Sequence, residues 1–198
     1  MKQAIIKQIG EKAYLNEEYP KMINERAYQG IADEAEKYRD RIVFGGEGDI
    51  KACKYSPTLI YPVGIDEEIV NHEIFGPLLP IVPYKDSDVD GLLDVIAHRE
   101  HGLAFYVFTK NKRWAKKVMR SQQYGGGCVN EVCLHLMVKG VPFNGVGHSG
   151  MGAYHGKWGF NEFTHPSTVL FGHTHMNLTL REHPYTKQKK KLFSKFLK

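Results

Sequence analysis

Between Leu79 and Asn130 short apolar runs alternate with amphipathic ones, and this alternation restricts the fold more than any other feature of the chain. Leu79–Val82, Leu103–Phe108 and Gly127–Val129 have the length and composition of buried strands. Between the first two, Val89, Leu92, Leu93 and Ile96 fall at i, i+3, i+4 and i+7, behind Asp86 and Ser87 as N-cap residues. Between the last two, Trp114, Val118 and Met119 mark a helix that starts after Asn111. Strand, helix, strand, helix, strand implies parallel strands joined by right-handed crossovers. The expected class is α/β, built on an open, mainly parallel sheet.

Upstream, Ile5, Ile6 and Ile9 predict one helix, and Tyr28, Ile31, Ala35 and Tyr38 a second. Ile42–Phe44 and Thr58–Val63 read as two more strands. Beyond Gly140 the character changes to a glycine-rich loop. From Gly172 to Leu180, His173, His175, Asn177 and Thr179 alternate with Met176, Leu178 and Leu180. That period of two predicts a half-exposed strand able to pair with another chain or domain.

A chain of 198 residues with 42% hydrophobic content suits one domain with a real core. No apolar run approaches the ~20 residues of a membrane span, and the N-terminus lacks a signal-peptide core, so a soluble cytoplasmic protein is expected. The net charge of +5 misleads. The last twelve residues, KQKKKLFSKFLK, carry six lysines and no acid, which leaves a near-neutral body and no basic footprint for nucleic acid. In that tail Leu192, Phe193, Phe196 and Leu197 would share one helical face ringed by lysines. The pattern suits either weak contact with an anionic membrane or packing on a neighbouring subunit.

Several candidate sites have plainer readings. GVGHSG (145–150) matches G-x-G-x-x-G by letter, but Pro142 just ahead of it is unsuited to the central strand a dinucleotide fingerprint requires. An active-site loop fits better. His173 and His175 lack carboxylate partners, and no metal site is expected. Cys53, Cys128 and Cys133 are too irregularly spaced for a disulfide framework. With no basic partner evident in sequence, Cys128 and Cys133 read as small core residues and not as nucleophiles.

Four segments together resemble the C-terminal part of an aldehyde dehydrogenase: HEIFGPLLPI (72–81), YGGGCVN (124–130), PFNGVGHSGMG (142–152) and AYHGKWGFNEFTHPS (153–167). Weaker similarity covers IVFGGEGD (42–49), SPTLI (56–60) and the group Arg181, Pro184, Tyr185 and Thr186. The SGMGAYHGK form is similar to the class 3 branch. Two departures stand out: His72 occupies a position where an acid is common, and Asn144 replaces the first glycine of the usual PFGG.

The resemblance implies oxidation of an aldehyde to a carboxylate with NAD or NADP, through a cysteine thiohemiacetal and thioester. In that family the nucleophile lies in a G-Q-x-C motif and the general base in E-L-G-G-K, both N-terminal to the segments matched here. Neither motif occurs in these residues, so no nucleophile or general base is assigned. The chain by itself is expected to be inactive and to bind NAD or NADP weakly or not at all. Residue by residue, Glu73 resembles the carboxylate that holds the nicotinamide ribose, and Phe75 the aromatic beside that ring. Phe143 and His155 resemble substrate-pocket residues, and Asn130 marks a strand end near the catalytic centre. The implied organisation is a partial catalytic domain (1–163), a bridging β arm for homo-oligomerisation (164–186) and a basic tail (187–198). A complete short pseudo-enzyme, acting as an interaction or weak nucleotide-binding module, is the alternative.

Overall fold

The computed structural model describes residues 1–175 and 179–196. Helix α1 (Lys2–Ile9) buries none of its residues. Helix α2 (Glu25–Glu36) starts at Asn24, whose side-chain oxygen accepts the Ala27 N–H at 2.8 Å. Strand β1 (Ile42–Phe44) follows, then a small hairpin of β2 (Gly48–Asp49) and β3 (Lys54–Tyr55), then β4 (Thr58–Ile60) and β5 (Leu78–Pro80). β4 is the centre of a three-stranded sheet, antiparallel to β1 and parallel to β5. Its three residues are all buried, as expected of a strand covered on both faces. Tyr28, Ile31 and Ala35 of α2 pack with Tyr55, Ile60, Val63, Ile69 and Leu78 to form the main core. Each aliphatic side chain fully buried there contributes about 1.5–3 kcal/mol relative to exposure.

The second unit follows the predicted alternation: α3 (Val89–Ala97), β6 (Ala104–Val107), α4 (Lys112–Ser121) and β7 (Gly126–Val129). β6 and β7 are parallel, with Tyr106 opposite Cys128 and Val107 opposite Val129. Asn111 caps α4 by accepting the Trp114 N–H at 3.0 Å. Ala115 and Val118 of α4 and Leu93 of α3 close over Val107. The glycine-rich region forms a short antiparallel hairpin, β8 (Phe143–Asn144) with β9 (Ala153–Tyr154), and leads into α5 (Lys157–Glu162). Helix α6 (Lys187–Phe196) lies in the lysine tail. Among the described residues no helix is long and apolar enough to cross a membrane.

The α/β class and the parallel pairings are as expected, but the strands are divided among small sheets. Among the described residues no ladder joins β5 to β6 or β7. The expected caps of α3 also differ. Asp86–Asp88 coil into a 3-10 turn, and the helix begins without a side-chain cap. In the predicted C-terminal strand, His173 has no regular structure, residues 174–175 form a turn and Thr179–Arg181 a 3-10 turn. Alternating side chains do not make a strand without a ladder partner, and none is present among the described residues. Met176, Asn177, Leu178 and Leu197 lie outside those residues. Residues 164–175 are exposed throughout, as suits a segment that leaves the body of the fold.

Candidate functional site

The segment from His72 to Pro77 is held from inside, so its outward side chains are presented in fixed positions. Ile74 packs against the main core, and the Pro77 carbonyl accepts the Thr58 N–H at 2.8 Å. At Gly76 a Cβ would stand 2.3 Å from Ile31 Cδ1, so only glycine lets the loop close on α2. On either side of Ile74, Glu73 is exposed and Phe75 is 87% exposed. Phe75 has φ +45, a conformation that costs a bulky residue energy and persists only where the surroundings impose it. An outward carboxylate beside an outward ring in a strained loop is suited to grip a ligand that approaches from solvent.

Glu73 opens into a cleft of about 620 Å³ lined also by His72, Glu100, His101 and His148. Phe75 faces a smaller recess against α2, so the two residues share a loop but not a cavity. Two adjacent residues, which the sequence reading missed, tie the flanking segments together. Arg99 donates to Asn71 Oδ1 and Asp66 Oδ1, both at 2.7 Å, and so steadies the approach to Glu73. Glu100 faces His148 of the glycine loop at 3.2 Å. Neither residue lies in a recognisable motif, so only the folded geometry reveals them.

The glycine loop is not a phosphate cradle. Strand β8 is two residues long and runs into a 3-10 turn (Gly147–Ser149), with no α-helix opening there. Ser149 closes the turn, its Oγ accepting the Val146 N–H at 2.8 Å and donating to the Val146 carbonyl at 2.9 Å. Among the described residues this loop therefore offers no helix N-terminus to receive a pyrophosphate.

Phe143 and His155 do come together. Their rings stack with centroids 5.9 Å apart, and Tyr154 closes the group at 4.4 Å from His155 and 6.0 Å from Phe143. The hairpin register places Phe143 opposite Tyr154. His155 has φ +94, a strained value that aims its ring. It borders a largely apolar cleft of about 680 Å³, shared with Leu136, Met137, Lys139 and Trp158. This volume is in the range of a small-molecule pocket.

Asn130 stands apart from both groups. It has φ +58, and its amide is spent on the backbone of Thr109: it accepts the Thr109 N–H at 2.8 Å and donates to the Thr109 carbonyl at 2.9 Å. Its own N–H donates to Val107 at 2.8 Å. It therefore clamps the ends of β6 and β7 together. One sequence expectation is corrected here: Cys128 does have a basic neighbour. The turn Leu134–Met137 folds back and brings His135 Nδ1 to 3.5 Å from the Cys128 sulfur.

The aldehyde dehydrogenase family model matches residues 15–169. The chain belongs to this family. It is 36% identical over 195 residues to aldehyde dehydrogenase family 3 member H1 of Arabidopsis thaliana, covering 97% of this chain and 40% of that protein. It is 34% identical over 189 residues to the 4,4'-diaponeurosporen-aldehyde dehydrogenase of Staphylococcus aureus, covering 96% and 40%. Among solved structures, a substrate-bound state of Staphylococcus aureus AldH superposes with a TM-score of 0.89 and 33% identity, over 99% of this chain and 42% of that one. The Mycobacterium tuberculosis aldehyde dehydrogenase complexed with NAD+ gives a TM-score of 0.68 at 26% identity, over 79% and 33%. The chain thus spans about 40% of the length of the relatives it matches.

Proposed function

We propose that this chain supplies the C-terminal catalytic-domain portion of an NAD(P)-dependent aldehyde dehydrogenase: the nicotinamide-ribose contact at Glu73 and Phe75, and part of the aldehyde pocket at Phe143 and His155. The observation that carries the proposal is the strained, core-anchored loop that holds Glu73 and Phe75 outward, in a chain that belongs to this family. The bound cofactor would supply the hydride acceptor. The residues of this chain orient its ribose and bound the pocket. Asn130 acts one step removed, by holding the strand ends in place.

The 198 residues alone hold neither a G-Q-x-C nor an E-L-G-G-K motif, so the isolated chain turns over no aldehyde. We assign residues 1–163 to the partial catalytic domain, 164–186 to a bridging arm and 187–198 to the tail. Met151, Phe163, Leu170 and Phe171 are each 88–94% exposed, an apolar load that favours association through the glycine loop and the arm. The test is aldehyde-dependent reduction of NAD+ or NADP+ by the purified chain. We expect no rate above buffer; multiple turnovers per chain would refute the reading.

A further inference from the structure

We infer that Cys128 and His135 form a reactive thiol–imidazole pair, a site of covalent modification for α,β-unsaturated carbonyl compounds. The inference rests on local geometry alone and does not depend on the dehydrogenase reading. The Cys128 sulfur lies 3.5 Å from His135 Nδ1, within reach for a sulfur hydrogen bond, which is the arrangement that lets a base take a thiol proton. The fold makes this contact by design of its backbone. Cys128 sits in β7, and the following turn carries His135 back over the strand. At Gly126 a Cβ would stand 2.4 Å from His135 Cδ2, so the ring can lie there only because that residue is glycine.

Two further groups complete the site. Tyr106, directly opposite Cys128 in the ladder, meets the imidazole edge-on at 5.8 Å. Its hydroxyl accepts the Cys133 N–H at 3.1 Å and points its proton at the Cys133 sulfur at 3.7 Å. Burial first, and this bond second, push the phenol up, so Tyr106 stays an O–H donor at neutral pH. His135 Nε2 is buried with no hydrogen-bond partner among the described residues. Nδ1, the nitrogen that faces the sulfur, is thus the ring atom with a partner, and Nε2 the unpaired one.

The chemistry closes with these groups alone. His135 Nδ1 takes the thiol proton, and the sulfur bonds to the β-carbon of the unsaturated carbonyl. The carbon–carbon π pair shifts toward the carbonyl to give an enolate. The proton held on the imidazole then passes to the α-carbon. Nothing is oxidised or reduced, and no other reactant is consumed.

The test uses the full chain and limiting trans-2-hexenal, with borohydride trapping and peptide mass spectrometry to follow each cysteine separately. Cys53 is the internal reference, half-buried like Cys128 but with no hydrogen bond from its sulfur among the described residues; Cys133 is the exposed reference. General-base assistance predicts modification of Cys128 about tenfold or more faster than of Cys53. Cys128 should also outpace Cys133 despite being less exposed. His135→Gln should bring Cys128 down to the Cys53 rate and leave the other two unchanged. If that variant unfolds, all three thiols will react faster together, and the ratios in the native chain decide. Faster reaction at Cys53 or Cys133 in the native chain, or an unchanged Cys128 rate in folded His135→Gln, would overturn the inference.

Discussion

Replacing Asn130 separates its role as a clamp from any direct part in a pocket. Its amide makes two hydrogen bonds to Thr109, at 2.8 and 2.9 Å, from a residue at φ +58. Each neutral bond contributes about 0.5–1.5 kcal/mol net, and the exposed position argues for the lower half, giving roughly 1–2 kcal/mol for the pair. Left-handed backbone costs a residue other than glycine, asparagine or aspartate about 1–2 kcal/mol more. Asn130→Ala should therefore lose about 2–4 kcal/mol. Asn130→Gly keeps the backbone at ease but loses the bonds and some chain entropy, so it should be the milder change by about 1 kcal/mol. Asn130→Asp can still accept from Thr109 but sets its second carboxylate oxygen against the Thr109 carbonyl, so it should also be less stable than the parent. The assay is urea unfolding followed by the fluorescence of Trp114 and Trp158. A glycine variant less stable than the alanine variant, or an alanine variant within about 0.5 kcal/mol of the parent, would refute the clamp.

Other perturbations have defined outcomes. Gly76→Ala forces a methyl into Ile31 in the main core and should destabilise by about 1–3 kcal/mol in the same urea experiment. Glu67 accepts from Arg41 at 2.8 Å and from the Gly64 N–H at 2.6 Å, and these bonds, Arg41 first, hold its carboxyl below the ordinary value of 4.5. A depressed carboxyl adds stability above that value and loses it as pH falls through the lower folded one. Glu67→Gln should thus flatten the acid limb of urea midpoints measured from neutral pH to below 4.5, without changing its alkaline limb. Deleting Lys187–Lys198 should abolish flotation of the chain with anionic vesicles at low salt, if the lysine-ringed helix α6 meets lipid; no flotation of the parent chain leaves α6 only the role of packing on a neighbouring subunit.

The sequence foretold α2, α3, α4 and the strands around them because burial writes itself into spacing. Tyr28, Ile31 and Ala35 are buried where a period near 3.6 places them, and Val107 and Val118, read as strand and helix residues, are buried in one cluster. Strand pairing was less legible. β4 is antiparallel to β1 and parallel to β5, and nothing in three buried residues distinguishes those partners. Glu73, Phe75, Phe143 and His155 were marked by resemblance, and the structure adds strained backbone at Phe75, which stands 87% exposed, and at His155, which stacks on Phe143. Arg99, Glu100 and His135 were invisible because their partners lie far along the chain or across a turn whose path no local pattern encodes. The contact between Cys128 and His135 exists only once the 3-10 turn has folded back over Gly126.

The most direct test of the central claim is a chimera. Residues 1–198 would replace the part of Staphylococcus aureus AldH on which this chain superposes at a TM-score of 0.89. The account predicts a folded chimera that oxidises an aldehyde with NAD+ or NADP+. Glu73→Gln in that chimera should slow hydride transfer by roughly 10- to 100-fold, the equivalent of a charge-assisted hydrogen bond of about 1.5–3 kcal/mol. A folded chimera with no activity, or one whose rate ignores Glu73→Gln, would contradict it.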